Sequence, residues 1–312
     1  MSSSLSSSSY CVKKEIDNDI DNNVIGNTQV FDETGDFHMN KDNNDFDDKK
    51  LIIDKSINHG KIITEDAYLS YYKDHANFKM PLGFRIGICG SIAAGKSTFI
   101  NGIKEKYEQN IAICNEPYQK NPFLSLYYMN KSKWAFHAQI AFLASRHLTL
   151  SHFLVPPTEQ KFVKTLLVDR VFDEDQVFAQ VQHVFAYMSD DEYTTYNNLF
   201  NALQSTMPTF DFCIYLDVSI KKSLERIETR LLQDKTRNYE INITEDYLDT
   251  LLYAYDKFIK VKFPKKQPVY YISQETLEKN TSTQIFEFII THYQHRKTCP
   301  TANTQSTIIY VY

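Results

Sequence analysis

The sequence predicts an α/β fold, a five-stranded parallel sheet with helices on both faces, and three observations carry that expectation. A phosphate-binding loop with the spacing G-x-x-x-x-G-K-[ST] occupies Gly90, Ser91, Ile92, Ala93, Ala94, Gly95, Lys96, Ser97 and Thr98. It follows a short apolar run, Phe84, Ile86, Ile88 and Cys89, and precedes residues 99–107, which can be helical; the motif needs that strand before it and that helix after it. Four more short apolar runs then alternate with helical patterns, and such alternation implies a parallel sheet whose ligands bind beyond the carboxyl ends of its strands.

The elements follow in order. Residues 84–89 form the first strand, and the glycines after it let backbone amides close around a polyphosphate. The helix N-terminus adds partial positive charge, Lys96 reaches the β- and γ-phosphates, and the Ser97 hydroxyl can ligate Mg²⁺. Residues 111–115 form a second strand ending in Glu116-Pro117, where proline enforces a non-helical exit and leaves a carboxylate at the strand's end. Residues 134–150 are helical, with no Gly or Pro. Residues 165–168 are a third strand closed by Asp169-Arg170. Ser189-Asp190-Asp191-Glu192 is a capping box opening a helix toward Gln204. Residues 212–216 are the fourth strand, with a helix through Arg230; residues 244–260 are a further helix, 269–272 the fifth strand and 281–293 a final helix.

With 312 residues, 42% of them hydrophobic, the chain can bury one such core, yet its first stretch differs from the rest. Residues 1–9 are nearly all serine, and from Glu15 to Asp48 eleven acids face Lys41 alone. Such a segment buries too little apolar surface to offset its ordering entropy. The organisation expected is a disordered acidic tail over residues 1–79, a phosphate-loop domain over 80–296 and a C-terminal tail over 297–312. Taking the tail's −10 from the formal −5 leaves +5 for the remainder, which suits a polyphosphate and is too weak to argue for nucleic acid.

Five scattered cysteines without a C-x-x-C pair imply neither a zinc site nor a disulfide framework, and so a reducing compartment. No apolar stretch is long enough for a bilayer, and the acid-rich start is unlike a transit peptide; a cytoplasmic chain without membrane partners is expected. After Gly102 there is no glycine at all, which removes the D-x-x-G switch of GTPases and the Gly-rich signature of transporter ATPases.

Over residues 84–293, about two thirds of the chain, the ordered motifs resemble the deoxynucleoside kinases. They are the phosphate loop; Glu116 followed by Asn121-Pro122-Phe123-Leu124; Tyr128; the helix Trp134-Ala135-Phe136-His137-Ala138-Gln139 leading to Phe142-Leu143 and Arg146; Asp169-Arg170; Met188-Ser189 with Glu192-Tyr193-Thr194-Thr195-Tyr196; and Arg226-Ile227 leading to Arg230. The Met-Ser to Tyr-x-x-Tyr stretch is most similar to the deoxyadenosine/deoxyguanosine branch. The resemblance implies a P-loop kinase fold with an arginine-bearing lid, ATP and Mg²⁺ as cofactors, a deoxynucleoside substrate and a homodimer packed through helices.

It also implies roles. Glu116 is the candidate general base, since a sugar 5′-hydroxyl is a poor nucleophile until a nearby carboxylate takes its proton. Asp169 resembles the acid that positions Mg²⁺ with Ser97, and Arg170 the arginine near the 5′-hydroxyl and base. Gln139 and Arg146, seven apart, share one helix face, and a glutamine amide offers the donor and acceptor that complement adenine or cytosine. Phe178 matches the aromatic that stacks on the base, and Tyr128 with Glu240 the pair that holds the sugar 3′-hydroxyl. Arg226, Arg230 and Arg237 resemble the lid arginines that clamp the transferring phosphoryl group.

Two departures stand out. Val171 directly follows the Asp-Arg pair where the family carries serine, which leaves either Asp173 or Glu174 as the acid that contacts the base, with Glu174 the candidate. Residues 231–236 also separate Arg230 from Arg237, where the family's lid reads Arg-Gly-Arg. The readings that compete with a deoxyadenosine kinase are a deoxyguanosine or deoxycytidine kinase, a monophosphate kinase of thymidylate type, and a silent ATP-bound scaffold.

Overall fold

The computed structural model of the chain describes residues 30–31, 37–38, 61–63, 78–154, 164–207, 209–298 and 308–311. Two short strands, β1 (Val30–Phe31) and β2 (Phe37–His38), pair antiparallel. The main sheet comprises β3 (Lys61–Ile63), β4 (Arg85–Cys89), β5 (Ile111–Cys114), β6 (Thr165–Asp169), β7 (Phe212–Leu216), β8 (Val269–Ile272) and β9 (Ile308–Val311), in the order β3-β9-β8-β7-β4-β6-β5. Every neighbouring pair in it is parallel.

The five expected strands, β4 to β8, thus form one contiguous block, and the sheet is wider than predicted. β9 adds a sixth strand beside β8, and the three-residue β3 lies outside it. This corrects the expected C-terminal tail over residues 297–312. Ile308-Ile309-Tyr310-Val311 is a β-branched and aromatic run with Ile309 and Val311 buried, but a four-residue strand is recognisable only once its partner is known. β3 likewise lies within the expected tail 1–79, most of which falls outside the described residues.

Helices cover both faces. They are α1 (Lys96–Tyr107), α2 (Leu124–Met129), α3 (Lys131–Leu154), α4 (Asp175–Val184), α5 (Asp190–Gln204), α6 (Ile220–Gln233), α7 (Glu245–Lys257), α8 (Gln274–Lys279) and α9 (Ser282–Thr298). The capping box read at Ser189 is formed: its side chain accepts from the Glu192 amide while Glu192 accepts from the Ser189 amide. Strand alternation sorts the core by face. Ile86, Ile88, Ile214 and Leu216 pack with Ile100, Ile103, Phe286 and Ile289 of α1 and α9. Cys89, Cys213 and Tyr215 pack with Val177, Leu251 and Tyr255 of α4 and α7. Among the described residues no helix is long and apolar enough to cross a membrane.

One close approach positions the site. A Cβ on Gly87 would lie 2.3 Å from Val171 Cγ1 and 2.7 Å from Cys213 Sγ, so only glycine lets the turn after β6 settle against the central strand. Asp169 ends β6 and Arg170 opens that turn.

Ile309 sits fully buried in β9. Ile309→Ala is expected to cost about 2–5 kcal/mol in urea unfolding; a cost below ~0.5 kcal/mol, the range of surface substitutions, would show that β9 does not complete the core.

Candidate active site

The phosphate loop joins β4 to α1 at the carboxyl edge of the sheet. Gly95 ends it at φ 95, a left-handed conformation, and a Cβ there would lie 3.1 Å from Arg226 Nη1. Arg226 reaches the loop from α6 and donates to the carbonyls of Ala93 at 3.1 Å and Ala94 at 2.8 Å. Lys96 Nζ donates to the carbonyls of Gly90 at 3.0 Å and Ser91 at 3.1 Å. Burial lowers the Lys96 pKa and Arg170 adds to the effect, against Asp169, Glu116 and Glu174. The Ser97 hydroxyl donates to Asp169 Oδ2 at 2.7 Å, and Asp169 Oδ1 is buried without a partner.

Beyond the loop a cleft of about 880 Å³ is lined by Glu116, Tyr128, Arg146, Arg170, Phe178 and Gln182, among others. At its centre the ends of β5 and β6 set Glu116 beside Arg170. Glu116 Oε1 lies 2.8 Å from Arg170 Nε and 3.0 Å from Arg146 Nη2, so one carboxylate bridges two guanidiniums. Burial alone would raise the Glu116 pKa, but Arg170, Arg146 and Lys96 outweigh it and hold the carboxyl below its ordinary value. Glu116 keeps about a quarter of its side chain exposed, so an ionised carboxylate faces the cleft.

Arg170 has φ 71, rare for a residue with a side chain, and its surroundings over-determine it. Its amide donates to the Ile88 carbonyl, its Nη1 to Tyr255 Oη, and its guanidinium lies 4.5 Å from the Phe178 ring centroid. Phe178 is therefore an aromatic wall of the cleft, backed by a cation.

The acid expected at the base, Glu174, is not on the cleft wall. Glu174 is fully buried and does not line the cleft: its Oε1 accepts from the Gly90 amide at 3.0 Å and Tyr255 Oη at 2.8 Å, and its Oε2 from the Val171 amide at 2.8 Å. It ties the start of the phosphate loop to the turn after β6. Asp173 turns away as well, to Gln204 and Lys266. Of these three neighbouring acids it is Asp175, the first residue of α4, that lines the cleft, paired with Arg146 Nη1 and accepting from Tyr196 Oη at 2.7 Å. Burial pushes its pKa up, opposed by Arg146, Tyr196 and Gln139. The helical spacing of Asp175, Phe178 and Gln182 puts these three on one face, a signal that would have selected Asp175 once Phe178 was placed.

Gln139 lines the same end, but its amide is engaged within the protein. Its Nε2 donates to the Asp175 carbonyl at 3.1 Å and Asp175 Oδ2 at 2.8 Å, and its Oε1 accepts from Gln182 Nε2 at 2.8 Å.

The separation between Arg230 and Arg237 is absorbed locally. Helix α6 runs past Arg230 to Gln233, and a 3₁₀ segment, Lys235–Asn242, brings Arg237 back. Both arginines meet one carboxylate: Arg230 Nε donates to Glu240 Oε2 at 2.8 Å and Arg237 Nη1 to Glu240 Oε1 at 2.9 Å. Arg237 also lies 4.0 Å from the Tyr118 ring centroid, and Tyr128 stacks on Tyr239 at 5.1 Å. Tyr128, Arg230, Arg237 and Glu240 all line the cleft.

Residues 86–296 match the family model described as deoxynucleoside kinase. The chain belongs to the deoxynucleoside kinase family. It is a phosphotransferase, and the resemblance read from its motifs is borne out. This deoxynucleoside kinase is 32% identical over 178 residues to the deoxyadenosine kinase of Dictyostelium discoideum, a match covering 57% of this chain and 67% of that one. It is 28% identical over 179 residues to the deoxyguanosine kinase of Bacillus subtilis, covering 56% and 78%. The structure of deoxyadenosine kinase from M. mycoides with bound dATP superposes with TM-score 0.56 at 29% identity, over 67% of this kinase and 99% of that chain.

The buried knot around Glu174 yields a prediction. Glu174→Ala removes the acceptor of two backbone amides and a tyrosine and leaves Arg170 short of charge, so it is expected to cost about 3–5 kcal/mol in urea unfolding. A cost below ~1 kcal/mol would contradict its role as the tie between loop and turn.

Proposed function

We propose that this kinase transfers the γ-phosphoryl group of ATP to the 5′-hydroxyl of a purine deoxynucleoside, deoxyadenosine in preference, giving ADP and the deoxynucleoside monophosphate for nucleotide salvage. One observation carries the reading. A single cleft has the phosphate loop at one end, the aromatic wall of Phe178 at the other, and the bridged carboxylate of Glu116 between them.

Glu116 takes the 5′-hydroxyl proton as the oxygen closes on the γ-phosphorus, and the bond to the β,γ-bridging oxygen breaks with ADP as leaving group. Arg170, held by its neighbours in one orientation, fixes the Glu116 carboxylate. Lys96, Arg226, Arg230 and Arg237 supply positive charge for the equatorial oxygens, where phosphoryl transfer spreads its charge. In the described structure each of these cations already has a carbonyl or carboxylate partner, so binding of the triphosphate exchanges one acceptor for another. Tyr128 and Glu240 hold the sugar 3′-hydroxyl.

The donor set fits Mg²⁺. Ser97 Oγ and the unpartnered buried Asp169 Oδ1 are hard oxygen ligands, and Mg²⁺ takes few protein ligands while keeping waters and phosphate oxygens. Among the described residues no group of three or more His, Cys, Asp and Glu forms a metal cage, consistent with an ion held largely by its nucleotide. Bound there, Mg²⁺ would neutralise charge on the β- and γ-phosphates.

A nucleoside fits the acceptor end better than a monophosphate. Arg146 and Arg170 are shared among Glu116, Glu174 and Asp175, so the cluster has three acids for two guanidiniums and would repel a dianionic acceptor. The deoxyadenosine preference rests on the likeness to deoxyadenosine kinases and on an amide-lined base end. We further propose a cytoplasmic homodimer packed through helices, with neither nucleic acid nor membrane as partner.

Glu116→Gln is expected to fold and bind nucleoside but to lose about 10²–10⁴ in turnover, the usual contribution of a general base; near-normal turnover removes Glu116 from that role. Since the ionised form is the base, kcat/KM falls only as pH drops through the lowered Glu116 pKa, and Arg146→Met moves that acid limb upward. A limb that stays in place contradicts the electrostatic account. Across the four deoxynucleosides the highest kcat/KM is expected for deoxyadenosine; a higher value for deoxyguanosine or deoxythymidine overturns the base preference and leaves the kinase intact.

A further inference from the structure

The base end of the cleft contains a chain of amides whose orientation is fixed from one end. Gln139 Nε2 faces two oxygens of Asp175, one of them the backbone carbonyl at 3.1 Å, which can only accept. Turning the Gln139 amide over would set its oxygen against both, so Nε2 must point at Asp175 and Oε1 away from it. Gln182 must then present its nitrogen to Gln139 Oε1, as it does at 2.8 Å. The Gln182 carbonyl is left pointing elsewhere. It is buried at the cleft wall with no hydrogen-bond partner, on a residue 5% exposed.

The neighbouring groups are already engaged. Asp175 Oδ1 is paired with Arg146 and Oδ2 accepts from both Gln139 and Tyr196, so neither Asp175 nor Gln139 offers an unused acceptor comparable with Gln182 Oε1. A buried carbonyl without a donor is costly, and a ligand N–H that reaches it recovers that cost. Phe178 lies one turn before Gln182 on α4, so a base laid on the ring brings its edge to this carbonyl.

We infer that Gln182 is a specificity-determining residue whose unpaired amide carbonyl selects a base carrying its exocyclic amine at purine C6 or pyrimidine C4. The inference rests on the reading of this cleft as a deoxynucleoside site and deepens it. Adenine and cytosine present an amine donor where guanine and thymine present a carbonyl, and a carbonyl facing Gln182 Oε1 leaves two acceptors opposed. Sites built around a buried hydrogen bond discriminate strongly for this reason.

The test is a two-by-two comparison of the wild-type full chain and Gln182→Met, each with deoxyadenosine and with purine 2′-deoxyriboside, which lacks the 6-amine. Methionine keeps the length and straight chain of glutamine, and the ratio of two substrates on one protein does not depend on how much of it is folded. Wild type is expected to lose about 10-fold in kcat/KM when the amine is absent, and Gln182→Met to lose less than about 2-fold. An equal loss in both proteins, or no loss in wild type, overturns the Gln182 assignment while the kinase reading stands. Wild type that phosphorylates neither nucleoside overturns both.

Discussion

Glu116 is held between Arg170 and Arg146, and the rest of the site is arranged around that bridge. Arg146 continues to Asp175, and Arg170 to Glu174, giving an alternating row of three carboxylates and two guanidiniums in a largely buried volume. Removing such charges from water costs several kcal/mol each unless every one is paired. The ends of β5 and β6, the middle of α3 and the start of α4 therefore have to arrive together. The close contact at Gly87 and the left-handed Arg170 are local consequences of that requirement, because the turn after β6 must carry an arginine inward against the central strand.

The same row connects the phosphate loop to the end of the cleft that holds Gln139 and Asp175. Glu174 accepts from the first amide of the loop and from the amide following Arg170, while Asp175, the next residue, accepts from Arg146, Gln139 and Tyr196. Two adjacent acids thus serve opposite ends of one cleft, since consecutive residues at a helix start point about 100° apart. On the far side Glu240 gathers Arg230 and Arg237 although several residues more than in an Arg-Gly-Arg lid separate them, and the extra chain is taken up as a further turn of α6 and a 3₁₀ segment.

What the sequence reveals about this molecule follows from how local each signal is. The phosphate loop, Glu116-Pro117 and Asp169-Arg170 are contiguous motifs at strand ends, and β4 to β8 are apolar runs bounded by clear breaks, so all are readable without a partner. β9 and β3 are not, because four or three residues make a strand only through their pairing with β8 and with each other. Asp173, Glu174 and Asp175 are equivalent in composition, and only the phase of α4 against the sheet separates them. The engagement of Gln139 by Asp175 and Gln182 was illegible for the same reason: it depends on α3 and α4 facing each other, and no spacing within either helix specifies it.

The central claim is that paired guanidiniums keep Glu116 ionised in an environment that would otherwise protonate it. The most direct measurement is a ¹³C NMR titration of the glutamate side-chain carboxyls, with the Glu116 resonance assigned by its absence from Glu116→Gln. The account predicts a midpoint below about 4.3, the value of an unperturbed glutamate. A midpoint above that value would show that burial outweighs the two arginines, and would contradict the account.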